Sequence, residues 1–222
     1  MKALLYKDFL VLRRYSVMLS IYFVLAALWC LIPSVIEDDL PSNGAVMSCT
    51  SILVTSLIVS MLPVSCLAAD EGSGWMKQAM MGVPRRQYFL AKCLVHMLTG
   101  IASVLLSTGI VLGINIWYGE ITEPYVLSTI LFSALGALEA NLYMGAVMLP
   151  LTVKLGAEKG RFLWFFAGLP IAPVLFVLAG FDFWSLKRIV LPLLTLFLIP
   201  VTAVIIIVML LLGLRWMERK EL

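Results

Sequence analysis

The sequence predicts an all-α integral membrane protein with six transmembrane helices and both termini cytoplasmic. Three observations carry this prediction. The 222 residues are 62% hydrophobic and only 13% charged. Six apolar stretches reach the roughly 20 residues that a helix needs to cross a bilayer core. Lys and Arg are distributed one-sidedly about those stretches. With a mean hydropathy of +1.05, the chain could bury only part of its apolar surface in one domain-sized core, which excludes soluble globular, disordered and disulfide-scaffold classes. The net charge of +3 is scattered between apolar runs and forms no basic stripe, so no nucleic-acid partner is expected.

Residues 1–16 are expected to form an interfacial helix. At about 100° per residue, Lys2, Lys7, Arg13 and Arg14 fall within an arc of roughly 140°, shared with Ala3 and Leu10. That pattern suits a helix on the inner leaflet, or equally a snorkelling anchor before the first span. The spans are placed at about 17–36, 45–67, 93–117, 125–150, 162–180 and 189–213, leaving room for one transmembrane domain, 1–222. The first apolar stretch has a basic start but no convincing small-residue cleavage site, and reads as a retained first helix. Fourteen of the sixteen Lys and Arg lie in the N-terminal segment, the second and fourth loops and the tail; only Lys187 and Arg188 lie opposite, beside Glu37, Asp38, Asp39, Glu120, Glu123 and Asp182. Cytoplasmic segments carry the basic excess.

The longest connection, 68–92, contains Asp70, Glu71 and Ser73, which can cap or charge the start of a short helix over Trp75–Met81 that Gly82 and Pro84 would end. Arg85, Arg86 and Lys92 then sit at headgroup level as a basic cytoplasmic interface. A helix presenting Trp75, Met76, Met80 and Met81 beyond the bilayer needs an apolar cover: a partner protein, or the membrane interface itself.

Catalytic chemistry is scarce. His96 is the single histidine and has no Glu-x-x-His context for zinc; a Ser73/His96 pair would place the nucleophile in a charged loop rather than a shielded pocket. Cys30, Cys49, Cys66 and Cys93 form no C-x-x-C pair, and a Cys30–Cys49 disulfide stays open. No metal site is indicated. There is no phosphate-binding G-x-x-x-x-G-K-[ST] loop, so the chain is expected to be no enzyme and any ATP dependence must come from a partner. Glu139 is the acid well inside the membrane, where an exposed charge costs at least about 2.5 kcal/mol. It either lines a path or an interface, with Asn141 nearby, or is held by Asn115, Asn141 or Tyr143. Pro63, Pro170, Pro173, Pro192 and Pro200 mark expected bends. The halves do not match, against an inverted-repeat carrier.

These residues resemble the small permease subunits of ABC-2-type transporters, in which a six-helix chain works with a separate ATPase. The resemblance is most specific in Asp70-Glu71-Gly72-Ser73-Gly74-Trp75, Val83-Pro84-Arg85-Arg86 and Ala91-Lys92, and extends to Lys2-Ala3-Leu4-Leu5-Tyr6-Lys7-Asp8. It implies that Asp70–Met81 is the coupling helix docking on the ATPase, with Asp70, Glu71, Gly74, Trp75, Met76 and Met80 in the contact. It also implies a second permease copy or paralogue, ATP and Mg2+ acting only through the partner ATPase, membrane lipid around the bundle, and a bacterial plasma-membrane location. Residues 180–188 leave no room for the helical lid of many family members, and short-loop relatives are similar to exporters of amphipathic and antimicrobial peptides. Alternative expectations are a non-transporting immunity or scaffold protein and a proton-coupled carrier using Glu139.

Overall fold

In hydrocarbon, an apolar run can satisfy its own backbone polar groups only as a helix. The structure is a computed structural model and describes residues 2–36, 41–74, 82–117, 124–156, 159 and 184–219. Its long elements are α1 (Lys2–Arg14), α2 (Ser16–Ile36), α3 (Pro41–Gly72), α4 (Arg85–Trp117), α5 (Pro124–Leu155) and α6 (Trp184–Arg219), with no strand among the described residues. Helices α3 to α6 each contain a segment long and apolar enough to cross a membrane, and α1 with α2 form a fifth candidate, bent by 60°. The stretch 162–180, with Pro170 and Pro173, lies outside the described residues, as does 75–81.

Several helix ends run beyond the sequence expectation, among them the end of α5 (Leu155 against about 150) and both ends of α6 (Trp184–Arg219 against about 189–213). Helix α3 continues to Gly72 and α4 already begins at Arg85, so the connection between them shrinks from 68–92 to 73–84. Hydropathy ends a span at its first charge, but a helix runs on when those charges find partners, as those of Asp70 and Lys92 do. Gly74, at φ +69°, closes α3 in the left-handed conformation that glycine adopts without steric cost; its N–H donates to the Glu71 carbonyl at 3.2 Å. Helices α3 and α5 run on through Pro63 and Pro150. A bend of 60° lies at Tyr15, which joins α1 to α2.

Helix α5 is central and packs on α3, α4 and α6. Sorting of side chains follows the solvent: lipid is as apolar as leucine, so it is polar and small groups that gain from turning inward. Ser51, Thr55, Ser56 and Ser60 of α3, Ser103 and Ser107 of α4, and Ser133, Asn141 and Thr152 of α5 are buried, while Val17, Ile21 and Val24 of α2, Leu105 of α4 and Val204 and Ile207 of α6 are exposed. Many inward hydroxyls return their proton to a carbonyl three or four residues back, as in Thr55 to Ser51 (2.7 Å) and Thr152 to Met148 (2.8 Å).

Helices α4 and α5 approach closely at two reciprocal positions. A Cβ on Gly145 of α5 would lie 2.0 Å from the His96 ring of α4, and one on Gly100 of α4 would lie 2.2 Å from Oδ1 of Asn141 of α5. Each glycine is the seat of the other helix's polar side chain. Gly109 has open space around its Cβ position. Gly145→Ala is therefore expected to lower stability by about 1–3 kcal/mol through overpacking, and Gly109→Ala to leave it unchanged or raise it by up to about 1 kcal/mol through helix propensity; thermal unfolding of the detergent-solubilised chain checks both.

Candidate functional site

Among the described helices, α1 carries one acid, Asp8, and the last turn of α3 carries Asp70 with Glu71. At the C-terminal end of a helix the macrodipole disfavours a negative charge, and Asp70 is also only 3% exposed. It is held by three donors from two other helices. The Lys7 ammonium of α1 pairs with Oδ1; on Oδ2, the Tyr88 hydroxyl of α4 donates at 2.7 Å and the Lys92 ammonium lies at 2.7 Å. Lys92 also donates to Asp8 Oδ1 of α1 at 2.6 Å, with its ammonium 5.3 Å from the Tyr88 ring centre. Lys92 and Asp8 are fully enclosed, at 2% and 1% exposure.

Lys7, Asp8, Asp70 and Lys92 thus form an alternating tetrad of zero net charge binding α1, α3 and α4. Burying an ion costs several kcal/mol, and only mutual pairing with further hydrogen bonds offsets it. Asp8 Oδ2 has no hydrogen-bond partner among the described residues.

Other charges gather at the same end of the bundle. Arg85 Nη1 donates to the Glu218 carbonyl in the last turn of α6 at 2.8 Å, and Arg86 pairs with the Glu218 carboxylate. A cation at a helix C-terminus is favourable, and here it offsets two arginines placed unfavourably at the start of α4. The Lys154 ammonium lies 4.5 Å from the Trp216 ring centre, a cation–π contact between the ends of α5 and α6.

Further into the bundle lies a polar knot of three helices. Asn141, fully buried, donates from Nδ2 to the Ser56 carbonyl at 2.9 Å, and Ser56 Oγ donates to the Ala137 carbonyl at 3.1 Å. His96 Nε2 lies 2.9 Å from the Asn141 carbonyl; a carbonyl only accepts, so Nε2 carries the proton. Glu139, on the other side of α5, accepts from Thr202 Oγ1 of α6 at 2.7 Å. That is a partner the sequence reading did not name.

Several expected contact residues are placed differently. Asp70 and Glu71 belong to the last turn of α3, not to the start of a separate helix, and Gly74 is the cap of α3. Asp70 faces the bundle, and so does Lys92, in the second turn of α4 rather than at the surface. Trp75, Met76 and Met80 lie outside the described residues. Arg85 and Arg86 come together with Glu218, while Glu139 and Asn141 face different helices. Lys7, Asp8 and Tyr88 are site residues that the sequence reading missed; the available signal was an aspartate in each of two helices that meet at a basic end. Cys66 and Cys93 are free thiols; the side chains of Cys30 and Cys49 lie outside the described residues.

An all-helical bundle with inward polar groups and charged ends is compatible with many membrane proteins. The decisive comparison is with family models: the one for ABC-2 family transporter proteins matches residues 3–218. The chain belongs to the ABC-2 transporter family. It is a multi-pass membrane component of a transporter, of the kind that partners an ABC ATPase. Comparison with curated proteins and with solved structures gives no match. Within this ABC-2 chain, the match takes in both the tetrad and the polar knot.

Tyr88→Phe removes a buried hydroxyl from a charged acceptor and is expected to lower stability by about 1.5–3 kcal/mol. Arg86→Gln touches an exposed pair and is expected to leave it unchanged. Comparing the unfolding midpoints of the two variants with the parent tests the assignment.

Proposed function

We propose that this chain is the permease subunit of an exporter for an amphipathic peptide or similar hydrophobic compound, working as a homo- or heterodimer and powered by a separate ATPase that binds ATP and Mg2+. The observation that carries the proposal is the tetrad. Segment 75–81 follows α3 directly, and Lys7, Asp8, Asp70 and Lys92 tie the end of α3 to α1 and α4. A force applied to that segment by the ATPase would move three helices together, because separating them exposes uncompensated charges. Trp75, Met76 and Met80 are the contact residues in this reading, with Glu71 and Gly74 beside them. Asp70 acts from within the bundle, as an anchor for that contact.

The basic end of the bundle faces the cytoplasm in this reading, since it holds Lys7, Arg85, Arg86, Lys92, Lys154, Arg215 and Arg219. Helix α1 lies along the inner membrane surface. The substrate class rests on the resemblance to short-loop exporters and on the sideways entry that an amphipathic molecule can make from the inner leaflet.

Trp75→Asp with Met76→Asp is expected to abolish co-purification of the ATPase in mild detergent while the chain remains inserted and monodisperse. Retained ATPase would refute docking at 75–81. Glu139→Gln separates export from proton coupling. Held by Thr202 at the α5–α6 contact, Glu139 is expected to leave ATP-driven export pH-independent when neutralised, whereas a proton carrier would lose all transport and need no ATPase.

A further inference from the structure

On a helical wheel α1 has two faces of different chemistry. Leu4, Asp8 and Leu12, spaced four residues apart, are buried, and Lys7 turns toward Asp70. Of the four basic residues on the arc expected from sequence, only Lys2, Arg13 and Arg14 therefore remain outward. All three are exposed and pair with no acid among the described residues. Interleaved with them are Tyr6, Phe9 and Leu10, at 68%, 47% and 46% exposure. At about 100° per residue the six occupy an arc of roughly 140°.

What lies against this face is set by the chain itself. Tyr15 turns α1 through 60° into α2, whose Val17, Met18, Ile21, Val24 and Leu25 are exposed apolar side chains that need lipid tails. The headgroup layer must then begin about where α2 begins, at the level of α1. Aromatic and aliphatic side chains between cations suit the boundary between acyl chains and headgroups. Three cations without acidic partners gain about 1 kcal/mol each, a factor of about five, beside an anionic surface.

We propose that the outward face of α1 is a binding surface for anionic phospholipid headgroups, with Lys2, Arg13 and Arg14 contacting the charged groups and Tyr6, Phe9 and Leu10 entering the acyl boundary. It rests on the reading of α1 as an interfacial helix. Because Lys7 lies at the edge of this face and Asp8 on the buried one, the lipid surface is joined through one helix to the tetrad, so membrane charge bears on the position of α3 and α4.

The test uses the full chain reconstituted in nanodiscs of equal phosphatidylcholine and phosphatidylglycerol, with native mass spectrometry counting the lipids retained. Parent protein is expected to retain phosphatidylglycerol in clear excess. The combined Lys2→Gln, Arg13→Gln and Arg14→Gln variant is expected to lose that excess, each basic residue changing the preference by up to about fivefold. In parallel, a spin label at Leu10→Cys, in a chain whose own cysteines are replaced by Ala, reports on the surroundings of α1. A label in lipid with no phosphatidylglycerol preference in the parent, or with an excess unchanged in the variant, overturns the proposal while leaving α1 interfacial. A label in water, or shielded by an ATPase or a second copy, overturns both.

Discussion

Charge neutrality among enclosed ions governs the basic end of this bundle. Lys7, Asp8, Asp70 and Lys92 are individually unaffordable inside a protein, and together they sum to zero. Each has its partner on another helix: α1 supplies one acid and one base, α3 an acid and α4 a base. Helix α1 cannot leave α3 without stripping Lys7 of its partner, nor leave α4 without stripping Asp8, and parting α3 from α4 costs Asp70 both Lys92 and Tyr88. Packing elsewhere is adjustable, since apolar side chains exchange one apolar neighbour for another at small cost in lipid. The tetrad, by contrast, admits only one arrangement of its three helices.

A second constraint lies deeper. Where Gly100 and Gly145 let α4 and α5 close on one another, Asn141 and His96 use the space and bind backbone carbonyls. A tight polar contact inside the bundle and an ionic lock at its end make α3, α4 and α5 one body. Helix α6 attaches to that body through Glu139 with Thr202 and through Arg85 and Arg86 with Glu218. A permease that transmits motion from a separate ATPase needs such a division: a stiff unit that receives the force, and contacts that reset.

Membrane character was legible in the sequence because hydropathy over roughly 20 residues is a strong signal. The described helices cover five of the six expected spans, with the fifth stretch, 162–180, outside the described residues. Their ends were harder to read. Asp70 and Lys92 look like loop charges to any rule that counts hydrophobicity, and the same rule that places Lys at the membrane surface cannot see a Lys with two carboxylates within reach. Whether a charge is in a loop or in a core depends on partners distant in sequence, 84 residues away for Lys92 and Asp8. Lys7 falls on the basic arc of α1 by periodicity alone, for the same reason. Glu139 was recognised as needing a partner, but Thr202 lies 63 residues on and nothing local marks it.

The most direct test of the tetrad as the governing constraint is a double-mutant cycle on Asp8 and Lys92, read by equilibrium unfolding of the purified chain. Asp8→Leu leaves a net positive group and Lys92→Met a net negative one, and each is expected to cost about 3–5 kcal/mol. The double variant leaves Lys7, Asp70 and Tyr88 intact and neutral. It is therefore expected to be more stable than the sum of the single losses predicts by about 2 kcal/mol or more. Simple additivity of the two losses would contradict the account.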